Sequence, residues 1–209
     1  MQIERRFITQ PVELRKAADD APGTIRGYAA LFNSRSENLG GKEHPFYEQI
    51  APGAFDEALK DDVRALFNHD PNLILARSKA GKGTLSLFVD ERGLGYEFTP
   101  PDTTAGRDLR VSVERGDVDQ SSFGFTVAED KWVEEGGVVT RTIKKVARLY
   151  DVSPVTYPAY PDTAVALRGL QEFQKEAAPA PPPAENNQPH PQRALWERKL
   201  GLKSTNPPA

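Results

Sequence analysis

The sequence predicts an α+β domain built mostly from antiparallel strands, followed by a disordered C-terminal tail. Short runs that alternate apolar and polar residues are separated by glycine-containing turns, a pattern typical of β-hairpins. One later segment has helix-start and helix-stop signals around apolar residues one turn apart. Eight of the 18 prolines follow Leu170, in a segment that cannot bury enough apolar surface to fold. We therefore assign the domain to residues 1–170 and the tail to residues 171–209.

The first half of the domain is predicted to contain strands and one short helix. Residues 3–32 hold short alternating runs that predict strands. Residues 52–60 begin with Pro-Gly and place apolar side chains four apart, which predicts a short helix. Residues 63–67 are apolar and lead to His69, after which Asp70-Pro71 predicts a turn. His69 is therefore expected at the end of a strand.

The second half of the domain is predicted to be mainly β, with one helix between the strands. Residues 73–98 predict a meander of hairpins, because glycine-containing turns separate three apolar runs. Thr103 or Thr104 is the predicted cap of a helix that ends at about residue 114, before Gly116. Residues 138–155 are long enough for two further strands.

The composition excludes several kinds of chemistry. The chain has no cysteine, which excludes disulfides, thiolate metal sites, iron–sulfur clusters and a cysteine nucleophile. The 27 basic and 30 acidic residues give a net charge of −3, so there is no broad basic surface for nucleic acid. No apolar stretch has the length of a secretory signal or a membrane span. We therefore expect an intracellular protein that needs no cofactor and binds neither nucleic acid nor membrane.

Three histidines are candidates for acid–base catalysis. His190 lies in the proline-rich tail and His44 in a glycine-flanked polar loop, so the predicted structure holds neither in a fixed position. His69 ends an apolar strand, and strand ends and their loops often carry active-site side chains. The simpler alternative is that His69 bonds to backbone groups beside the Asp70-Pro71 turn.

Ser122 is the candidate nucleophile. Strand alternation puts Ser122 and Gly124 on one face and Phe123 on the other, so Ser122 faces outward if Phe123 faces the core. Gly124 lacks a side chain beside this hydroxyl, which leaves space for a substrate backbone. Alternatively, Gly124 forms a bulge in a half-buried strand. The adjacent Ser121 is a second candidate.

Asp151 stands in a run of otherwise apolar residues, and a buried acid needs a partner. In a purely structural role it would pair with Arg148 or Lys145, or lie exposed on an edge strand. With His69 and Ser122 it supplies the residue types of a serine nucleophile, its base and the acid that orients the base.

The phosphate-loop, dinucleotide, HExxH and nucleophile-elbow motifs are absent. The many aspartates leave a carboxylate metal site open, although a solvated surface is the simpler interpretation.

Six short motifs lie in order across residues 24–167. They are Arg26-Gly-Tyr-Ala-Ala-Leu-Phe, Ile50-Ala-Pro-Gly-Ala-Phe, Leu66-Phe-Asn-His-Asp, Gly93-Leu-Gly-Tyr-Glu-Phe, Ser122-Phe-Gly-Phe and Leu149-Tyr-Asp-Val-Ser-Pro-Val-Thr-Tyr-Pro-Ala-Tyr. Together they resemble the prohead maturation proteases of tailed bacteriophages whose capsids have the Hong Kong 97 fold. The resemblance implies a serine peptidase related to the herpesvirus assemblins, with a mostly β, partly barrel-like domain and surrounding helices.

The resemblance also implies the site residues. His69 matches the family's histidine in Asn-His-Asp, and Ser122 matches the serine before Phe-Gly-Phe. Asp151 falls where the family has an acid, often glutamate, ahead of Val-Ser-Pro-Val. Assemblins have a second histidine as their third member, and no histidine of this chain lies in a comparable place.

The biology that the resemblance implies is maturation of a procapsid in the host cytoplasm. A protease of this kind is packaged inside the procapsid and cleaves the scaffolding region of the major capsid protein precursor, and itself. Residues 193–203 place Trp196 and Leu200 one turn apart on a basic segment, which predicts a short docking helix or a self-cleavage site. A disordered end without a partner is the simpler alternative, and a homo-oligomer is left open.

Two other functions are compatible with parts of this pattern. A protein can keep a protease-like fold and act only as a scaffolding or capsid-assembly protein, because fold alone does not determine function. The presence of all three catalytic residue types favours the enzyme. A nucleic-acid-binding β-barrel is disfavoured by the acidic charge balance.

Overall fold

The computed structural model describes residues 3–8, 11–16, 23–157 and 163–177. Within these ranges the chain forms eleven strands, two α-helices and one short 3-10 helix. The strands are β1 (Glu4–Ile8), β2 (Glu13–Arg15), β3 (Thr24–Leu31), β4 (Phe46–Ile50), β5 (Asp62–Phe67), β6 (Asp70–Lys79), β7 (Lys82–Gly83), β8 (Leu85–Val89), β9 (Gly93–Phe98), β10 (Gln120–Glu135) and β11 (Val138–Val155). The helices are the 3-10 helix (Ala58–Lys60), α1 (Thr104–Arg115) and α2 (Thr163–Ala177).

The strands form two sheets. The larger has seven strands in the order β1-β10-β11-β5-β6-β7, with β4 also paired to β11. Its pairs are antiparallel except where β11 meets β4 and β5. The smaller sheet has the order β2-β3-β9-β8 and is antiparallel throughout. The mostly β prediction is confirmed. The described strands form two sheets and no closed barrel, because β1 and β7 end the larger sheet without pairing to each other.

Two strand predictions are wrong in detail. Residues 73–98 are not one meander, because β6 pairs with β5 while β8 and β9 belong to the smaller sheet. Residues 138–155 form one strand of 18 residues rather than two. The 16-residue β10 runs opposite it, and register shifts between residues 124 and 130 let this long hairpin bend without breaking.

The hydrophobic core contains side chains from both sheets. Tyr96 from the smaller sheet and Phe123 and Leu149 from the larger one are almost completely buried in a single cluster. Phe123 lies edge-on to Phe55, with ring centroids 5.8 Å apart. The short helix predicted for residues 52–60 is confined to the 3-10 helix at their end. The turns before it place Phe55 in the core.

The helices begin and end with recognisable signals. The hydroxyl of Thr103 accepts a hydrogen bond from the Gly106 amide at the start of α1, and Gly116 ends the helix with a φ of 78°. This helix agrees with the prediction. The boundary predicted near residue 170 falls inside α2, which continues to Ala177. The proline-rich segment and the helix predicted at residues 193–203 lie outside the described residues. Neither α1 nor α2 is long and apolar enough to cross a membrane.

Candidate active site

A two-residue turn between β5 and β6 presents His69. Asn68 and His69 have φ angles of 53° and 59°, as a type I′ hairpin turn requires of both central residues. The Asn68 amide donates to the Pro154 carbonyl over 3.1 Å, and its side-chain oxygen accepts from the Thr156 amide over 2.9 Å. The turn is therefore tied to the end of β11. His69 lies just beyond the end of β5, close to the predicted strand end, but Asp70-Pro71 begins β6 and does not form the turn.

The two adjacent serines of β10 face opposite sides of the sheet. The Ser121 hydroxyl lies 2.7 Å from the Tyr96 hydroxyl in the core. The Ser122 Oγ lies 2.5 Å from Nε2 of His69. The predicted alternation is therefore confirmed. The outward face is covered, however, because Ser122 is 0% exposed and its hydroxyl also donates to the Arg6 carbonyl of β1 over 2.9 Å.

Asp151 contacts the other side of the imidazole. Its Oδ1 lies 2.5 Å from Nδ1 of His69. The hydroxyl of Ser153 donates to the same carboxylate oxygen over 2.7 Å and lies 3.3 Å from Nδ1. The structural alternatives for Asp151 are not observed, since Lys145 pairs with Glu57 and the Arg148 guanidinium lies over the Tyr150 ring.

Gly124 makes room for this carboxylate. It lies directly opposite Asp151 in the β10–β11 ladder. A Cβ at residue 124 would lie 2.5 Å from Oδ2 of Asp151. The sequence suggested that the missing side chain leaves space for a substrate backbone. In the structure this space is occupied by the Asp151 carboxylate.

The structure brings His69, Ser122 and Asp151 into one line of contacts and leaves His44 exposed in its loop. His190 lies outside the described residues. Sequence reasoning missed Ser153, although a residue two positions after Asp151 on a strand must share its face. It also missed the role of Asn68, whose tolerance of positive φ was a signal for the turn.

A buried ionic cluster lies beside the site and was not predicted. Arg6 donates to both oxygens of Glu48 over 2.7 and 3.0 Å, and to Glu4 over 2.6 Å. Arg141 donates to Glu4 over 2.8 and 3.1 Å, to Glu48 over 2.9 Å and to Asp130 over 2.6 Å. Its members come from four distant segments, so no local pattern reveals it.

The charges in this cluster stabilise one another. Burial alone would raise the pKa of Glu4, but hydrogen bonding to Arg141 and the positive charges of Arg141 and Arg6 hold it below its ordinary value. Burial would likewise lower the pKa of Arg6, but the charge and hydrogen bonds of Glu48 raise it above its ordinary value. Glu4 and Arg6 are therefore charged in the folded protein at neutral pH.

A hydroxyl, an imidazole and a carboxylate in consecutive contact form the arrangement that serine hydrolases use. The sequence pattern of the caudovirus prohead serine protease family matches residues 10–176, and the chain belongs to this family. It is therefore a serine protease of phage procapsid maturation, which works inside the procapsid among capsid proteins.

The chain is also similar to individual proteins of known phages. The prohead protease of Enterobacteria phage HK97 is 30% identical over 172 residues, which cover 79% of this chain and 68% of that protein. The solved structure of the bacteriophage T4 capsid assembly protease has 11% sequence identity and a TM-score of 0.48. That match covers 74% of this chain and 97% of the T4 chain.

Proposed function

We propose that Ser122 is the nucleophile, His69 the general base and Asp151 the orienting acid of the peptidase site. The observation that carries this proposal is the pair of 2.5 Å contacts that His69 makes, one to each partner. With its Nδ1 hydrogen donated to Asp151, the imidazole presents the Nε2 lone pair to Ser122. The Ser153 hydroxyl, which donates to the same carboxylate oxygen, holds the carboxylate in position.

The reaction follows from these roles. The Ser122 oxygen attacks the peptide carbonyl carbon while its proton passes to Nε2 of His69. The resulting imidazolium, stabilised by the Asp151 carboxylate, returns the proton to the leaving amine as the carbon–nitrogen bond breaks. Water then attacks the acyl-enzyme with His69 again accepting a proton, which releases the carboxylate product and restores Ser122.

The substrates of this reaction are proposed from the function of the family. They are the scaffolding region of the major capsid protein precursor and the protease chain itself, both enclosed in the procapsid. We further propose that residues 193–203 act as a docking or self-cleavage segment. Deleting residues 178–209 should then impair packaging or processing, and unchanged packaging and processing would contradict this part.

The test of the site is cleavage on co-expression with the major capsid protein precursor of the same phage, read from the product masses. The wild type should process the precursor, and Ser122→Ala should not. Ser121→Ala is the matched control, because its hydroxyl contacts Tyr96 on the opposite face of the same strand. Cleavage by folded Ser122→Ala would contradict the assignment of the nucleophile. Assembly with the precursor but no cleavage by the wild type would instead favour a non-enzymatic assembly protein.

A further inference from the structure

The proposed nucleophile is covered in this structure. Ser122 is 0% exposed, and the side chains of His69 and Asp151 are only 6% and 9% exposed. A peptide carbonyl cannot reach the Ser122 oxygen until the group that covers it moves. The Arg6 carbonyl, which accepts a hydrogen bond from this hydroxyl, identifies β1 as the covering segment.

The position of β1 resembles that of a bound peptide. It is extended and antiparallel to β10, with Phe7 opposite Ser122 and Arg6 opposite Phe123. It is also the last strand of the larger sheet, so its removal would leave the backbone groups of residues 121–125 unpaired along one edge. An extended peptide adds to such an edge through main-chain hydrogen bonds.

Two acceptors compete for the hydroxyl proton of Ser122 in this arrangement. A serine hydroxyl has one hydrogen to donate, and both the Arg6 carbonyl and the Nε2 of His69 lie within hydrogen-bond distance of it. When the hydroxyl donates to the carbonyl, His69 cannot accept the proton that nucleophilic attack requires. The strand therefore restrains the proposed chemistry as well as the access of substrate.

Besides its backbone pairing with β10, the strand is held by buried charged side chains. Glu4 and Arg6, which are 2% and 6% exposed, enter the buried ionic cluster, whereas the apolar Phe7 and Ile8 are only partly buried. Because β1 contributes one acid and one base, its departure leaves the net charge of the cluster unchanged. Glu48 and Arg141 are already paired with each other over 2.9 Å and would keep that contact.

Two further observations are consistent with displacement of β1 from the edge of β10. A cavity of about 250 Å³ borders β1 at Arg6, Phe7 and Ile8, which gives the strand space on one side. In addition, β1 precedes residues 10–176, the portion that matches the family pattern.

We propose that the edge of β10 at residues 121–125 is the binding site for an extended substrate peptide, and that β1 occupies it as a latch. The latch keeps Ser122 latent until a substrate strand takes its place. This inference rests on the proposed role of Ser122.

The test measures phosphonylation of Ser122 by an alkyl fluorophosphonate on the full-length chain, with the modified residue identified by mass spectrometry. In this reaction a bond forms between Oγ and phosphorus as the phosphorus–fluorine bond breaks, and fluoride leaves while the proton passes to His69. Arg6→Gln should weaken the latch. If β1 is open about 1–10% of the time in the wild type, full opening speeds labelling by about 10- to 100-fold.

The matched control is Arg77→Gln, which removes an arginine of β6 from a bidentate ion pair with Asp62 of β5, away from β1. It should label at the wild-type rate. A synthetic peptide of residues 3–8 should slow the labelling of Arg6→Gln. The same peptide with its second arginine, equivalent to Arg6, replaced by glutamine should do so less.

The outcomes separate the latch from the proposed function. Equal labelling of Ser122 in the wild type and folded Arg6→Gln would overturn the latch and leave the nucleophile standing. Absence of Ser122 labelling in both folded proteins would count against the nucleophile itself.

Hydrogen exchange on the wild type tests the latch even if Arg6→Gln does not fold. The β1 amides should exchange faster than those of the β10–β11 ladder, and exchange of both only on global unfolding would overturn the latch.

Discussion

Replacing Gly124 by alanine should disable the proposed site while the domain stays folded. The new Cβ would lie 2.5 Å from Oδ2 of Asp151, about 1 Å closer than the 3.4 Å at which ordinary contact begins. Residues 124 and 151 lie directly opposite each other in the β10–β11 ladder, so their backbones cannot separate without breaking that ladder. The carboxylate must therefore move, and with it the contact to Nδ1 of His69 that we propose orients the imidazole.

The size of the effect follows from this displacement. Moving a positioning group by about 1 Å costs about 100-fold in rate, equivalent to about 2.7 kcal/mol of transition-state stabilisation. Loss of the orienting acid in a well-studied serine protease, about 10⁴-fold in kcat, sets the upper limit. The extra methyl group should lower the free energy of unfolding by about 1–3 kcal/mol. A domain of typical stability, about 5–15 kcal/mol, stays mostly folded after this loss. Partial unfolding therefore does not account for the expected fall in the processing rate.

The assay is the rate of capsid precursor processing, with thermal unfolding measured on the same samples. Gly137→Ala is the control, because its φ of 77° strains an alanine while its Cβ would meet no atom within 4 Å. It should cost about 1–2 kcal/mol of stability and leave processing intact. A folded Gly124→Ala protein that processes precursor at the wild-type rate would refute the role assigned to Asp151.

Three other substitutions test contacts of Asp151, of the turn that carries His69 and of the buried ionic cluster. Ser153→Ala removes a donor to the Asp151 carboxylate and should slow processing about tenfold, the rate equivalent of one hydrogen bond of about 1.4 kcal/mol; an unchanged rate would make this contact incidental. Asn68→Ala places alanine at a φ of 53°. It should lower the unfolding free energy by about 2 kcal/mol, measured by chemical denaturation, and slow processing in the same assay. Because the pKa of Glu4 lies below its ordinary value of 4.5, its stabilisation is complete above that pH and is lost as pH falls through the lower folded-state pKa. Glu4→Gln should therefore reduce the fall in Tm between about pH 5 and about pH 3, and an identical fall in both proteins would contradict this.

Local features of the fold were predictable because local signals specify them. The Thr103 cap and the Gly116 stop delimit α1 through contacts within a few residues of each end. The alternation along β10 likewise separates Ser121 from Ser122 whichever strands lie beside it. The assignment of residues 138–155 to two strands failed because continuous pairing with β10, a tertiary feature, holds them as one.

The sequence by itself determined the residue types of the proposed site, the position of His69 next to a strand end and that of Ser122 on its strand. Only the tertiary structure brings His69, Ser122 and Asp151 together. His69 and Asp151 are 82 residues apart in the sequence, and the three residues meet because β5 and β10 both pair with β11. It alone also decides that β1 covers Ser122. Burial depends on which segments pack together, and the charges of Glu4 and Arg6 find their partners at Glu48 and Arg141 only after the sheet has formed.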